Sequence, residues 1–123
     1  PDYVVVVDES LMASVDVAEG LKEDGAIIIN TEKDVDEVKK HLKGVKGKDF
    51  TVDAKKISIE TLGRYFPNTP MLGAVVKVSG IMEEKAFIQA MEGAFKHKFA
   101  TKPEVIEGNM NALKRAMQEV KGL

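Results

Sequence analysis

Polar side chains that could bind a ligand follow each of three short apolar runs in this sequence of 123 residues. Asp8 follows the first run, Asn30 and Thr31 follow the second, and Asp53 follows the third. If the runs are parallel β-strands, these side chains share the carboxyl edge of one sheet, where open α/β proteins bind ligands. Asp, Asn and Thr are also common turn and helix-capping residues, so a structural role is the alternative for each.

A second candidate for binding lies in residues 62–74, which read LGRYFPNTPMLGA. Asn68 and Thr69 are good N-cap residues, and Pro70 suits a first helical turn because its N–H is not needed there. The start of a helix presents free N–H groups and a positive dipole end to an anion. We therefore expect Asn68 and Thr69 to cap a largely buried helix. Pro70 and the single basic residue Arg64 make this a weak anion site, so a structural junction is our first interpretation.

Other catalytic chemistries have little support in the sequence. His41 and His97 lack further metal ligands at suitable spacing, so we interpret both as solvated residues near helix ends. No serine lies in a nucleophile-elbow motif, and neither common glycine-rich phosphate motif occurs. The 123 residues contain no Cys, which removes thiolate catalysis and cysteine-held zinc or iron–sulfur clusters from them.

The composition indicates a soluble globular protein. The formal net charge is −2, so no basic field predicts nucleic-acid binding. No apolar run approaches the roughly 20 residues of a membrane span, and we expect a cytoplasmic protein without a membrane partner. A local lysine run predicts a solvated helix end or, as the alternative, a docking patch for an acidic protein; it comprises Lys39, Lys40, Lys43, Lys46 and Lys48.

The periodicity of apolar residues predicts an α/β fold. Strands are expected at 3–7, 26–29 and 50–52, and helices at about 10–22, 34–43, 54–62, 70–79, 83–96 and from 103 onward. Alternating strands and helices predict a three-layer sandwich with an open, mostly parallel, Rossmann-like sheet, followed by a helical C-terminal tail. Residues 75–79 are also compatible with a strand, but the length and the preceding cap signals favour a helix.

Several finer features are expected from local patterns. The continuous apolar run 4–7 indicates a first strand that is buried on both faces. A central strand so close to Pro1 predicts that residues 1–123 form part of a larger α/β domain. Asp34 is expected to cap the second helix and Thr101 the last one.

The whole chain resembles a known family through a set of sequence blocks. These are PDYVVVVDESL, IIINT, FTVDAKKISIETLGR, PNTPMLGAVVKVSGI and AFIQAMEGAF. The blocks are similar to the gamma subunit, or gamma domain, of the 2-oxoacid:ferredoxin oxidoreductases, with the pyruvate enzymes as the nearest type. The resemblance implies that residues 1–123 are the C-terminal two-thirds of a gamma domain, whose glycine-rich segment would precede Pro1. Pro70 stands where the family usually has a small residue.

The resemblance also implies a function. The family decarboxylates a 2-oxoacid oxidatively and produces acyl-CoA, carbon dioxide and reduced ferredoxin. Its complexes use thiamine diphosphate, Mg²⁺, 4Fe-4S clusters and CoA, so alpha-, beta- and delta-type subunits and ferredoxin are the implied partners. The isolated chain is expected to be inactive and to carry no catalytic residue. Asn68 and Thr69 would lie on the CoA side, with Asn30 and Thr31 as weaker candidates and Tyr65 and Phe66 as interface residues.

Two other classes of function stay open from the residues alone. A receiver-type signalling module would use Asp53 as its phosphoacceptor, but it needs an acidic pair after the first strand, which Asp8 and Glu9 only approximate. It also needs two further strands downstream, where helices are predicted. A nucleotide-binding Rossmann-like half-domain is the other alternative.

Overall fold

Three parallel β-strands and five helices make up the described part of the chain, which a computed structural model gives for residues 3–8, 25–40 and 47–122. The strands are β1 Tyr3–Val6, β2 Ala26–Asn30 and β3 Lys48–Val52, in the spatial order β1-β2-β3. The helices are α1 Val35–Lys39, α2 Ala54–Leu62, α3 Asn68–Ser79, α4 Glu84–Lys98 and α5 Pro103–Glu119. The helix predicted at 10–22, the end of the helix predicted at 34–43, His41, Lys43 and Lys46 lie outside the described residues.

The central strand β2 is buried along its whole length. Ile28 aligns with Phe50 of β3, and both join a core cluster formed with α2, α3 and α5. Ile27 and Ile29 point to the opposite face and are fully buried as well. Because both faces of β2 are covered, the layered α/β architecture with a parallel sheet is confirmed.

The prediction that β1 is buried on both faces is wrong. Tyr3, Val5 and Val7 are 42%, 41% and 39% exposed, and Val6 alone is buried in this strand. These alternate residues share the face of Ile28, as the pairing of Val5 with Ile28 shows. In the described sheet β1 is the edge strand, so an apolar run did not distinguish an edge strand from a central one.

The opposite sheet edge is covered by the chain segment that follows α5. The Thr51 N–H donates to the carbonyl oxygen of Lys121 at 3.1 Å, and the Lys121 N–H donates back to Thr51 at 2.8 Å. This antiparallel bridge satisfies the outer backbone groups of β3 at that position. It also fixes the end of α5 against the sheet.

Helices α3 and α5 pack so closely that a glycine is needed between them. A Cβ atom on Gly73 of α3 would lie 2.7 Å from the carbonyl oxygen of Leu113 in α5. A similar contact joins α5 to α2, since a Cβ on Gly108 would lie 2.6 Å from the carbonyl oxygen of Thr61. The predicted helical conformation of residues 75–79 is confirmed, because α3 continues to Ser79 and ends at Gly80 with a φ of 63°.

The two last helices each bury one apolar face. Phe87 of α4 is buried, and Ile88, Met91 and Phe95 pack with it against α5. In α5 the buried apolar residues include Met110, Leu113 and Met117, and Val120 is buried just after its end. The helices predicted at 83–96 and from 103 onward are therefore confirmed.

Helix capping was predicted correctly for α1 and wrongly for α3 and α5. Asp34 Oδ1 accepts the N–H of Glu37 at 3.0 Å. Helix α3 instead begins after Pro67, whose φ of −73° and ψ of −8° are already helical, so Asn68 and Thr69 lie inside the first turn and do not cap it. Helix α5 has Lys102 rather than Thr101 at the N-cap, with no side-chain bond there.

We expect Gly73→Ala to lower the free energy of unfolding by about 1–3 kcal/mol, because the added methyl group overlaps the backbone of α5. Gly93→Ala in α4 is the matched control, since a Cβ at Gly93 meets no atom within 4 Å. This control should stabilise the protein by about 0.5–1 kcal/mol through helix propensity alone. Denaturant unfolding of both variants checks the prediction, and equal stabilisation by the two would contradict it.

Candidate functional site

The carboxyl ends of the three strands surround a pocket of about 540 Å³, here called the strand-end pocket. It is lined by Val7, Asp8, Asn30, Thr31, Glu32, Asp53, Lys55 and Tyr65. The polar residues that follow the three strands therefore meet at one edge, as the sequence predicted.

Asn30 joins three elements at this edge. Its Nδ2 donates to the carbonyl oxygen of Val7 at 2.9 Å, and its Oδ1 accepts the N–H of Lys55 at 3.2 Å. The side chain thus connects the end of β1 and the start of α2 to β2, and the residue is only 7% exposed. Both polar atoms of Asn30 have partners within the chain, so the geometry supports a structural role.

Other polar side chains of the pocket also have local partners. Thr31 Oγ1 accepts the N–H of Lys33 at 3.1 Å, which is a turn contact. Asp53 Oδ1 accepts the N–H of Lys56 at 3.0 Å and caps α2. Across the described ranges, no three His, Cys, Asp or Glu side chains are grouped so that they could hold a metal ion. These hydrogen bonds are typical of turn and helix-capping residues, which is the structural alternative to ligand binding.

A larger cavity of about 740 Å³ lies among the helices, and we call it the helical cleft. The starts of α3 and α5 and the end of α4 form its walls. Its lining comprises Thr61, Leu62, Arg64, Phe66, Asn68, Thr69, Leu72, Met91, Phe95, Lys98, Phe99, Lys102, Glu104, Val105 and Asn109. The predicted pair Asn68 and Thr69 is therefore in a cavity, although not as a helix cap.

Asn68 and Thr69 differ in their surroundings. Thr69 is 7% exposed, and its Oγ1 donates to Asn109 Oδ1 at 2.9 Å. The Nδ2 of Asn109 in turn donates to the carbonyl oxygen of Val105 at 2.8 Å. This buried hydrogen bond of Thr69 therefore joins α3 to α5. Asn68 is exposed on the cleft wall, and its side chain makes no hydrogen bond to any described residue.

The entry to α3 is held in place by Ser58, a residue that the sequence did not single out. Ser58 is fully buried; its Oγ donates to the carbonyl oxygen of Lys55 at 2.8 Å and accepts the N–H of Phe66 at 3.1 Å. This contact fixes the segment after α2 against the helix. Tyr65, next to it, is 54% exposed and stays an interface prediction, whereas Phe66 is half-buried.

Two cations of the helical cleft lie over aromatic rings. The Arg64 guanidinium lies 5.1 Å from the centroid of the Phe66 ring, and Lys98 Nζ lies 5.3 Å from the centroid of Phe99. The Phe99 ring stacks on Phe95 with centroids 6.2 Å apart. Sequence reasoning missed this group because its members come from two segments, 64–66 and 95–99, that only the tertiary fold brings together.

No helix in the parts of the chain that the structure covers is long and apolar enough to cross a membrane.

Comparison with known proteins identifies the family. A family model described as pyruvate ferredoxin/flavodoxin oxidoreductase matches residues 1–119. The chain belongs to this family.

Similar proteins include the pyruvate synthase subunit PorC of Thermotoga maritima, which is 46% identical over 121 residues. The common gamma subunit of the pyruvate/ketoisovalerate oxidoreductases of Pyrococcus abyssi is 44% identical over 119 residues. These alignments cover 98% and 97% of this chain and 61% of each relative, so the chain spans about three-fifths of their length.

The crystal structure of the pyruvate oxidoreductase subunit PorC from Thermotoga maritima has the same fold. It matches with a TM-score of 0.85 at 45% identity, over 98% of this chain and 64% of that one. The predicted family and the α/β fold class are therefore confirmed. A receiver module is not supported, because α3, α4 and α5 occupy the downstream sequence where it needs strands.

We expect Thr69→Val to lower the free energy of unfolding by about 1–3 kcal/mol, because Asn109 Oδ1 would lose its buried donor. Thr51→Val is the matched control: Thr51 is 1% exposed, and its hydroxyl has no hydrogen-bond partner among the residues that the structure describes. Removing that hydroxyl should be neutral or stabilising, since no bond is lost. Urea denaturation compares the variants, and an equal loss of stability in both would refute the role of the Thr69–Asn109 bond.

Proposed function

We propose that this chain is a gamma-type subunit of a 2-oxoacid:ferredoxin oxidoreductase that acts on pyruvate. The reaction yields acyl-CoA and carbon dioxide, with transfer of electrons to ferredoxin. The observation that carries the proposal is the similarity to PorC, at 46% sequence identity and with the same fold along 98% of this chain. In this proposal, residues 1–123 form one domain that corresponds to the C-terminal two-thirds of a gamma domain.

The residues of this chain do not fit the iron–sulfur clusters or the metal ion that the family implies. Iron–sulfur clusters need cysteine thiolates, and none occurs among the 123 residues. The described residues also contain no cluster of carboxylates or histidines suited to the Mg²⁺ of thiamine diphosphate. We therefore assign thiamine diphosphate, Mg²⁺ and the 4Fe-4S clusters to partner subunits of alpha, beta and delta type. The cytoplasm is the location that we propose for the complex.

The contribution proposed for this chain is a wall on the CoA side of the complex. Asn68 supports this role because its exposed amide lies in the helical cleft without a partner among the described residues. Thr69 acts indirectly by joining α3 to α5 through Asn109. Asn30 and Thr31 are weaker candidates, since their side chains already bond to the neighbouring backbone.

The proposal is tested with the complete complex, prepared with and without this subunit at its full natural length. We expect pyruvate- and CoA-dependent reduction of ferredoxin by the complete complex and no turnover by the purified subunit alone. The readouts are ferredoxin reduction and carbon dioxide release. Full activity of a complex that lacks the subunit, or turnover by the isolated subunit, would contradict the proposal.

We expect Asn68→Ala to raise the KM for CoA about tenfold, the effect of losing one good hydrogen bond to a ligand. Assembly should be unchanged, because Asn68 does not cap α3 and makes no described side-chain bond. Asn111→Ala is the matched control, since Asn111 is an exposed asparagine of α5 outside the cleft. Steady-state kinetics and size-exclusion chromatography separate the two effects, and an unchanged KM in the Asn68 variant would remove Asn68 from the CoA side.

A further inference from the structure

The segment between α2 and α3 forms part of the wall of both cavities. We call residues 63–67 the α2–α3 linker. Arg64 and Phe66 of this linker line the helical cleft, whereas Tyr65 between them lines the strand-end pocket. Because neighbouring side chains of the linker belong to different cavities, both walls depend on one orientation of its backbone.

The linker backbone is held by a single side chain. The Phe66 N–H donates to Ser58 Oγ at 3.1 Å. In the ranges that the structure describes, no other hydrogen bond holds residues 64–66. Gly63, with a φ of 74°, adds no restraint through packing, since a Cβ there would meet no atom within 4 Å. Beyond Gly63, hydrogen bonding of the linker backbone therefore depends on one buried hydroxyl.

Ser58 is itself part of a line of hydrogen bonds that starts at the sheet edge. Asn30 donates to the carbonyl oxygen of Val7 and accepts the N–H of Lys55. The carbonyl oxygen of Lys55 in turn accepts the Ser58 hydroxyl at 2.8 Å. A hydroxyl that donates to one group and accepts from another is fixed in direction, and each bond polarises the next. The linker is thus positioned relative to the strands as well as to α2.

A serine at this position brings no benefit to α2 itself. Ser58 lies in the middle of the helix and is 0% exposed, and alanine is a better helix former than serine. A serine hydroxyl inside a helix also competes with the backbone for hydrogen bonds. The Phe66 N–H is the partner of Ser58 that lies outside the helix, so the role of the hydroxyl concerns the linker.

We propose that Ser58 is a positioning residue, whose hydroxyl holds the α2–α3 linker so that Arg64 and Phe66 form a wall of the helical cleft. Ser58 is in the lining of neither cavity, so it acts through Phe66 and touches no ligand. The kinetic consequence rests on the proposed function: Asn68 follows the linker directly, so a displaced linker also displaces the residue assigned to the CoA side.

The first test is Ser58→Ala in the complete complex, with the subunit at its full natural length. Hydrogen exchange is measured by mass spectrometry on peptides that contain Phe66. The Phe66 amide should exchange about tenfold faster or more, because it loses its buried acceptor. Peptides from α5 should exchange at the wild-type rate, since their hydrogen bonds are unchanged.

Steady-state kinetics supplies a readout that lost stability alone would not change. In Ser58→Ala the KM for CoA should rise about three- to tenfold, the effect of weakening one contact with a ligand. The KM for pyruvate and kcat should stay at wild-type values, because thiamine diphosphate is assigned to partner subunits. Ser58→Thr keeps the hydroxyl and should restore the KM for CoA, even where its additional methyl group lowers stability.

Val38→Ala is the matched control for a loss of stability. Val38 of α1 is 2% exposed and lies outside the core cluster that α2, α3 and α5 share. Its truncation should destabilise the subunit through a cavity. It should leave both the exchange of the Phe66 amide and the KM for CoA unchanged.

The outcomes separate the role of Ser58 from the proposed function. Unchanged exchange of the Phe66 amide in Ser58→Ala would overturn the positioning role. A rise in the KM for CoA that Val38→Ala reproduces, or that Ser58→Thr fails to reverse, would overturn it too, as would a wild-type KM where Asn68→Ala raises the KM. Faster exchange in Ser58→Ala, with no effect of either Ser58→Ala or Asn68→Ala on the KM, would uphold the positioning role and refute the CoA side.

Discussion

The close approach of α3 to α5 is the constraint on which the helical half of the structure depends. At Gly73 the two backbones leave no space for a Cβ atom, and nearby the buried Thr69–Asn109 hydrogen bond joins the same helices. Backbone contact brings the helices together, and the buried polar pair favours one arrangement because any slip would leave an amide unsatisfied. Gly108 extends the same packing to α2. The position of the cleft wall formed by α3 and α5 therefore follows from the packing of these helices.

The strand-end pocket and the helical cleft illustrate two uses of polar residues. At the sheet edge, Asn30, Thr31 and Asp53 are directed to backbone groups, and the two hydrogen bonds of Asn30 hold β1, β2 and α2 together. In the cleft, Asn68 and three cations have no carboxylate or amide partner in the described structure. General experience with open α/β sheets favours the strand ends as the binding site, but in the described part of this chain Asn30, Thr31 and Asp53 at that edge already bond to backbone groups.

The sequence predicted elements whose signals are local. The buried strand β2, the amphipathic faces of α4 and α5, and the cap on α1 all follow from periodicity or from residues within one turn. The exposure of β1 depends on which strands lie beside it in the sheet. The start of α3 depends on the helical backbone conformation of Pro67. The residue types of a short window predicted neither feature, so both predictions were wrong.

The candidate site could be predicted only in part, for a related reason. The stretch LGRYFPNTPMLGA carried the family resemblance and contains Asn68 and Thr69, which line the helical cleft. The sequence did not single out Lys98 and Lys102, because nothing local links them to Arg64, more than thirty positions earlier. Their grouping depends on α4 packing against α5, which is determined by Phe87, Met110 and Leu113 in the second apolar cluster. The charge of the cleft is thus a product of core packing: the apolar face of α4 fixes where its last turn lies, and that turn brings Lys98 and the Phe95–Phe99 rings to the start of α3.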